Sequence, residues 1–146
     1  MLLVKTLVRP SPIAGLGLFA SEPIAAGQVW WRYDARIDRT FSAAEYEALP
    51  PQTQDWLKTY AYLQAGSWVL CGDHAMFVNH SETPNSVTIG DESIALRDIA
   101  AGEEIVENYR EFCDDWPLMP FAVLPMAEAN GSAPLPAAHH PSAETL

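Results

Sequence analysis

Positive charge is scarce in this chain. Only 8 Lys and Arg stand against 19 Asp and Glu, for a formal net charge of −11. A surface of that sign repels phosphates, which argues against nucleic acid as a direct partner. It draws in a basic protein or peptide instead, although acidity that merely keeps a small protein soluble explains the same number. Cysteine is nearly absent as well. Cys71 and Cys113 cannot make a structural zinc site unaided, and adding His74 and His80 gives a spacing that matches no finger or ribbon, so no metal is expected. A disulfide between them is disfavoured in a reducing compartment. No apolar run approaches the length of a membrane span, and Lys5 and Arg9 interrupt the N-terminal segment where a signal peptide would be apolar. The reading is a soluble, cytoplasmic protein without a membrane partner.

What is present is enough for one core: 146 residues with 49% hydrophobic content support a single domain. Short β-prone runs punctuated by glycine dominate. Strands are expected over Leu2–Val8, Val29–Tyr33, Tyr60–Gln64, Ser67–Cys71, Ser86–Ile89, Ser93–Arg97 and Glu104–Tyr109. Ser42-Ala43-Ala44-Glu45 has the capping-box pattern and should open a short helix ending at Pro50-Pro51. Thr53–Tyr60 reads as a second helical piece, with Trp56 and Tyr60 on one face. The tetrapeptide Ile-Ala-Ala-Gly occurs twice, at Ile24–Gly27 and Ile99–Gly102, each time before a strand. Both copies read as turns closed by a glycine at positive φ. Two copies this far apart are not a repeat array. After Tyr109 the composition shifts. Six of the twelve prolines lie from Pro117 onward and no Lys or Arg follows Arg110. The expected division is a domain over 1–116 and a Pro/Ala-rich, disordered tail over 117–146, which takes His139-His140 with it.

The most informative stretch is Phe77-Val78-Asn79-His80-Ser81-Glu82-Thr83-Pro84-Asn85. An apolar run turns abruptly polar. Thr83 is pushed towards extended geometry by the proline after it, and Pro84 has no N–H for a central strand. A polar loop entered from the core is the expectation. Alone it would be an ordinary turn, but Gly15-Leu16-Gly17-Leu18-Phe19 precedes it and Gly102-Glu103-Glu104-Ile105-Val106-Glu107-Asn108-Tyr109 follows. In this order, over roughly Gly15 to Phe112, the three motifs resemble the SET domain, a family of protein-lysine methyltransferases. The resemblance implies a mostly β fold of small sheets with a short helical insert and a C-terminal pseudoknot. It implies S-adenosylmethionine as cofactor and a protein lysine as substrate.

By the same resemblance, Ala14, Gly15, Leu16 and Gly17 would hold the cofactor's amino-acid end through their backbone. Asn79 and His80 would bind its methionine part and adenine, His80 mainly through its backbone and not as a base. Tyr109 would point its hydroxyl at the methyl-transfer site and Tyr33 would line the lysine channel. Phe112, Trp116 and Phe121 are candidates to cover the adenine, with Trp116 counted among the cofactor-binding residues. The chemistry needs positioning more than a nucleophile. It also needs a neutral amine, and only about one lysine in a few thousand is neutral at pH 7 at its ordinary pKa. A cationic sulfonium suits an aromatic setting and should lower the lysine's pKa. Thr88 falls where some members carry an aromatic that limits the number of methyls added. The zinc-bound cysteine cluster that closes the pocket in several members has no counterpart here. Those departures favour the rival reading, a SET-like module that binds peptide or cofactor without turnover.

Overall fold

The computed structural model describes residues 1–114. Trp116, Phe121 and the expected tail over 117–146 lie outside the described residues. The described residues form ten short strands, β1 Thr6–Pro10, β2 Leu16–Ala20, β3 Val29–Arg32, β4 Arg39–Ser42, β5 Ala61–Gln64, β6 Ser67–Leu70, β7 Asn79–His80, β8 Ser86–Ile89, β9 Glu92–Ala95 and β10 Val106–Glu107. Two helices, α1 Ala43–Glu47 and α2 Pro51–Tyr60, separate β4 from β5. The strands make a β1-β2 ribbon, a five-stranded sheet in the order β3-β9-β8-β10-β7 and a three-stranded sheet in the order β4-β6-β5.

The two Ile-Ala-Ala-Gly turns pack against each other. Ile24 and Ile99 exchange backbone hydrogen bonds of 2.9 Å in both directions, and each side chain is about 1% exposed. Around this axis the contacts come in matched pairs. The Gly27 N–H donates to Ala95 O at 2.8 Å, and the Gly102 N–H to Ala20 O at 2.7 Å. Ala95 N–H returns to Gln28 O at 3.0 Å, and Ala20 N–H to Glu103 O at 2.9 Å. Even the side chains match, since Gln28 Oε1 and Glu103 Oε2 accept from the Ala25 and Ala100 N–H groups, both at 3.0 Å. Gly27 and Gly102 hold φ of 78° and 86°, the left-handed region where a Cβ is strained. The main core grows from this axis: Leu18, Ala20, Ile24, Trp30, Trp31, Ala95, Ile99 and Ile105 are all buried in it.

A second, smaller core of Phe41, Leu57, Ala61 and Trp68 lies under the helices. Ser42 caps α1 as expected: its hydroxyl accepts from Glu45 N–H, and the Glu45 carboxylate accepts back from Ser42 N–H at 2.8 Å. Such a cap is worth about 1 kcal/mol. The second helix begins at Pro51, two residues earlier than expected, because proline suits the first helical position. Trp56 and Tyr60 do meet, with ring centroids 5.2 Å apart.

Other boundaries move for identifiable reasons. The opening strand is Thr6–Pro10, not Leu2–Val8, because Leu2 is diverted: it bridges to Trp31 and its N–H donates to Asp73 Oδ2 at 2.7 Å. The strand expected over Ser93–Arg97 is Glu92–Ala95. The expected Glu104–Tyr109 strand shrinks to Val106–Glu107, since the Asn108 side chain accepts from Arg110 N–H at 3.2 Å and opens a 3-10 turn over Tyr109–Glu111. Within the loop expected at Phe77–Asn85, Asn79 and His80 form an edge strand. It runs parallel to β10, and a 3-10 turn over His74–Phe77 leads into it.

Candidate functional site

The first part of the site is a strap held by one side chain. Asn79 sits on β7, whose parallel register with Val106 fixes where its amide points. Its Nδ2 donates to Leu16 O at 3.1 Å, to Ala14 O at 3.2 Å and to Glu104 Oε1 at 2.9 Å. Ala14–Gly17 is thereby tied at one point to Asn79 and to Glu104 of the Gly102–Tyr109 motif. Glu104 also accepts from the Ser11 hydroxyl at 3.0 Å and fills the space beside Gly17, where a Cβ would come within 2.2 Å of its carboxylate. Gly15 is the opposite case. It holds φ of 48° with no atom within 4 Å of where a Cβ would stand.

Asn85 performs the same service for the last motif. It is 1% exposed and every polar atom is engaged. Its amide donates to Glu104 O at 2.7 Å and to Glu103 Oε1 at 3.1 Å, while its Oδ1 accepts from Val106 N–H at 2.9 Å. Glu103 also meets Arg97, whose guanidinium holds its carboxyl down to about 2.

His80 and Tyr109 are brought together. The Tyr109 N–H donates to His80 Nδ1 at 3.2 Å, and their rings lie 6.0 Å apart. With Nδ1 accepting, the ring proton belongs on Nε2, which faces Glu82 at 3.2 Å. Glu82 is in turn paired with Arg110 at 2.9 Å. The Tyr109 hydroxyl donates to the Val78 carbonyl. Phe112 packs edge-on against both Tyr109 and Tyr62, each at 5.3 Å. Burial pushes both phenols well above their ordinary value. Tyr33 is set apart from this group: its Oη accepts from Thr40 at 3.0 Å and it lines a hollow of about 130 Å³ with Trp31, Tyr62 and Gln64. A larger cavity of about 520 Å³ lies next to it, lined by Gln64, Thr88, Gly90, Phe112 and Asp114 among others. Gln64 and Gly90 border both.

Sequence reasoning missed the group beneath. Glu107 is 3% exposed, and no Lys or Arg pairs with it among the described residues. Three hydroxyls surround it instead. Ser86 Oγ donates to Oε1 at 2.8 Å, Thr88 Oγ1 donates to Oε2 at 2.9 Å, and Ser93 lies 2.7 Å from Thr88. Trp30 Nε1 donates to Ser86 at 2.6 Å. Burial raises the Glu107 carboxyl above the usual range, against the three hydroxyls, which pull it down. A signal existed in Ser86, Thr88 and Ser93, but polar residues at period two on a strand look like a solvent face. Among the described residues no cluster of His, Cys, Asp and Glu could hold a metal ion, and no helix is long and apolar enough to cross a membrane.

The model of the SET domain family matches residues 15–110. No curated protein matches the chain. Among solved structures, apo Polycomb Repressive Complex 2 of Chaetomium thermophilum superposes with a TM-score of 0.63 at 23% identity, covering 77% of this chain. The same complex bound to S-adenosylmethionine gives 0.59 at 22%, covering 76%. In both cases the match spans only 16% of the other chain. A candidate histone methyltransferase of Plasmodium falciparum gives 0.53 at 21%, covering 73% of this chain and 93% of that one. At such identities the superpositions establish a shared fold, mostly β with few helices.

Proposed function

Because the chain belongs to the SET domain family, we propose that it moves a methyl group from S-adenosylmethionine to the ε-amine of a protein lysine. The observation that carries this reading is the Asn79 latch. One side chain joins Ala14–Gly17, Asn79 and the Gly102–Tyr109 motif, the three segments the chemistry needs in one place. The residues present fit the cofactor: Gly15 leaves open space beside a backbone strap, and Tyr109 and Phe112 offer aromatic faces to a cation. S-adenosylmethionine, when bound, supplies an electrophilic methyl on a positively charged sulfur. Asn79 and Ala14–Gly17 would orient it, and Tyr109 would keep water from the methyl while aligning the amine. Tyr33 and Tyr62 would flank the approach of the lysine. A basic peptide suits the surroundings, since Asp91, Glu111 and Asp114 border the two hollows against one cation, Arg110, which pairs with Glu82.

Calorimetric titration of S-adenosylmethionine tests the pocket. Micromolar binding by the wild type and at least a tenfold loss in Asn79→Ala is the expected result, because the variant frees the strap and leaves Glu104 unpaired on that side. Equal binding by both proteins would remove Asn79 from the site. Transfer of labelled methyl to lysine peptides then separates an enzyme from a module that binds without turnover.

A further inference from the structure

A buried carboxyl without a counter-cation is costly to ionise, and groups perturbed in this way cluster at functional sites. Glu107 is such a group: it is 3% exposed and cradled by Ser86 and Thr88, with Ser93 behind Thr88. Its place is specific. It lies two residues before Tyr109, and its charge acts on both the Tyr109 and Tyr62 phenols. Thr88 stands between it and the 520 Å³ cavity: the residue lines that cavity, while its hydroxyl is buried against Glu107 Oε2 and Ser93. The other titratable groups facing it are Tyr62 from β5, Cys71 after β6, and Tyr109 and Glu111 from the last turn. None of these is a cation; the cavity that Thr88 lines does carry one, Arg110, which pairs with Glu82 at 2.9 Å and stands beside Glu111 and Asp114.

We propose that the Glu107 carboxylate, with the Thr88 hydroxyl in front of it, is the subsite that receives the substrate's ε-ammonium and takes its proton. This rests on the methyl-transfer reading and adds to it the base that the reaction needs. The step balances. Thr88 Oγ1 has one proton, given to Glu107, and two lone pairs, of which Ser93 uses one. An ammonium N–H donates to the other. As its proton moves to Oγ1, the Thr88 proton moves to Oε2, leaving a neutral amine and a neutral carboxylic acid. The amine's lone pair then forms the bond to the methyl carbon as the carbon–sulfur bond breaks, and the carboxylic acid returns its proton to solvent between turnovers. Burial raises the Glu107 carboxyl above the usual range, the direction that strengthens a base.

The test compares wild type, Glu107→Gln and Thr88→Val with labelled S-adenosylmethionine and whichever peptide of a lysine-peptide array the wild type labels best. In Glu107→Gln, kcat should fall at least about 100-fold near neutral pH. The gap should close as the pH approaches about 10, where the amine sheds its own proton. Cofactor affinity should stay within about twofold. Thr88→Val should reproduce the pH-dependent loss. If Glu107→Gln does not fold, as judged by its melting curve, Thr88→Val carries the test alone. A kcat unchanged, or lowered equally at every pH, overturns the assignment of Glu107 and leaves methyl transfer standing. Failure of the wild type to label any lysine peptide overturns the methyl-transfer reading and this proposal with it.

Discussion

The two Ile-Ala-Ala-Gly turns are the same object used twice, and they part company a few residues later. Their isoleucines, glycines and the side-chain oxygens of Gln28 and Glu103 make matched bonds. Val29 and Glu104 come next and already differ, but the pair after them, Trp30 and Ile105, is core in both copies, at 1% and 0% exposure. After that the copies diverge. Arg32 pairs with Glu92 on the surface at 2.7 Å, whereas Glu107, its counterpart, is sealed among hydroxyls. The first copy only builds the sheet; the second builds the sheet and then delivers Glu107, Asn108 and Tyr109. Symmetry therefore marks what the fold requires, and its failure marks what the fold alone does not need.

That contrast can be broken in order of size. Truncating Ile24 or Ile99 to Ala should cost similar amounts, about 2–5 kcal/mol each in urea unfolding. Because their side chains share one buried cluster, the double variant should depart from additivity. A cost confined to one copy would show that the axis is not shared. The second copy's private burden appears in Tyr109→Phe, which should fold and bind cofactor yet lose turnover by about 100-fold, the scale for losing a group that aligns the amine. Unchanged turnover would take Tyr109 out of the site. Gly27→Ala and Gly102→Ala should again behave alike, each losing about 1–2 kcal/mol, since both hold positive φ and neither added Cβ meets a neighbour. The smallest difference lies at Gln28 and Glu103. Glu103 has its folded pKa lowered from 4.5 to about 2, chiefly by Arg97, so its contribution is complete above about 4.5 and disappears as the pH falls towards 2. Glu103→Gln should flatten that acid limb of the stability curve. An unaltered limb would assign it to other carboxylates.

Much of this was legible in the sequence because it was written locally. The capping box at Ser42, the Trp56–Tyr60 pair, both glycine turns and the three site motifs each sit within a few consecutive residues. Ala14–Gly17, Asn79, His80 and Tyr109 then proved to be neighbours in space. What was not legible depends on remote pairing. β7 and β10 are two residues each and parallel, so no periodicity announces them, and only their pairing makes Phe77–Asn85 more than a loop. Glu103, Glu104 and Glu107 look alike in the sequence but have three fates. One pairs with Arg97, one locks Gly17 and Asn79, and one is buried without a cation. Thr88 and Ser93 likewise gain their meaning from a carboxylate that arrives from another strand.

The insertion of β10 between β7 and β8 has a consequence for how the protein is made. Both neighbours leave the ribosome before β10 does, and neither pairs with the other. During synthesis the sheet therefore has an empty slot with two unsatisfied edges, the kind of surface that recruits other strands. The strand that fills the slot also brings Glu107 and leads straight into Tyr109, so closing the sheet and assembling the candidate site are a single event. A chain cut short before Val106 lacks the strand that joins β7 to the rest of the sheet.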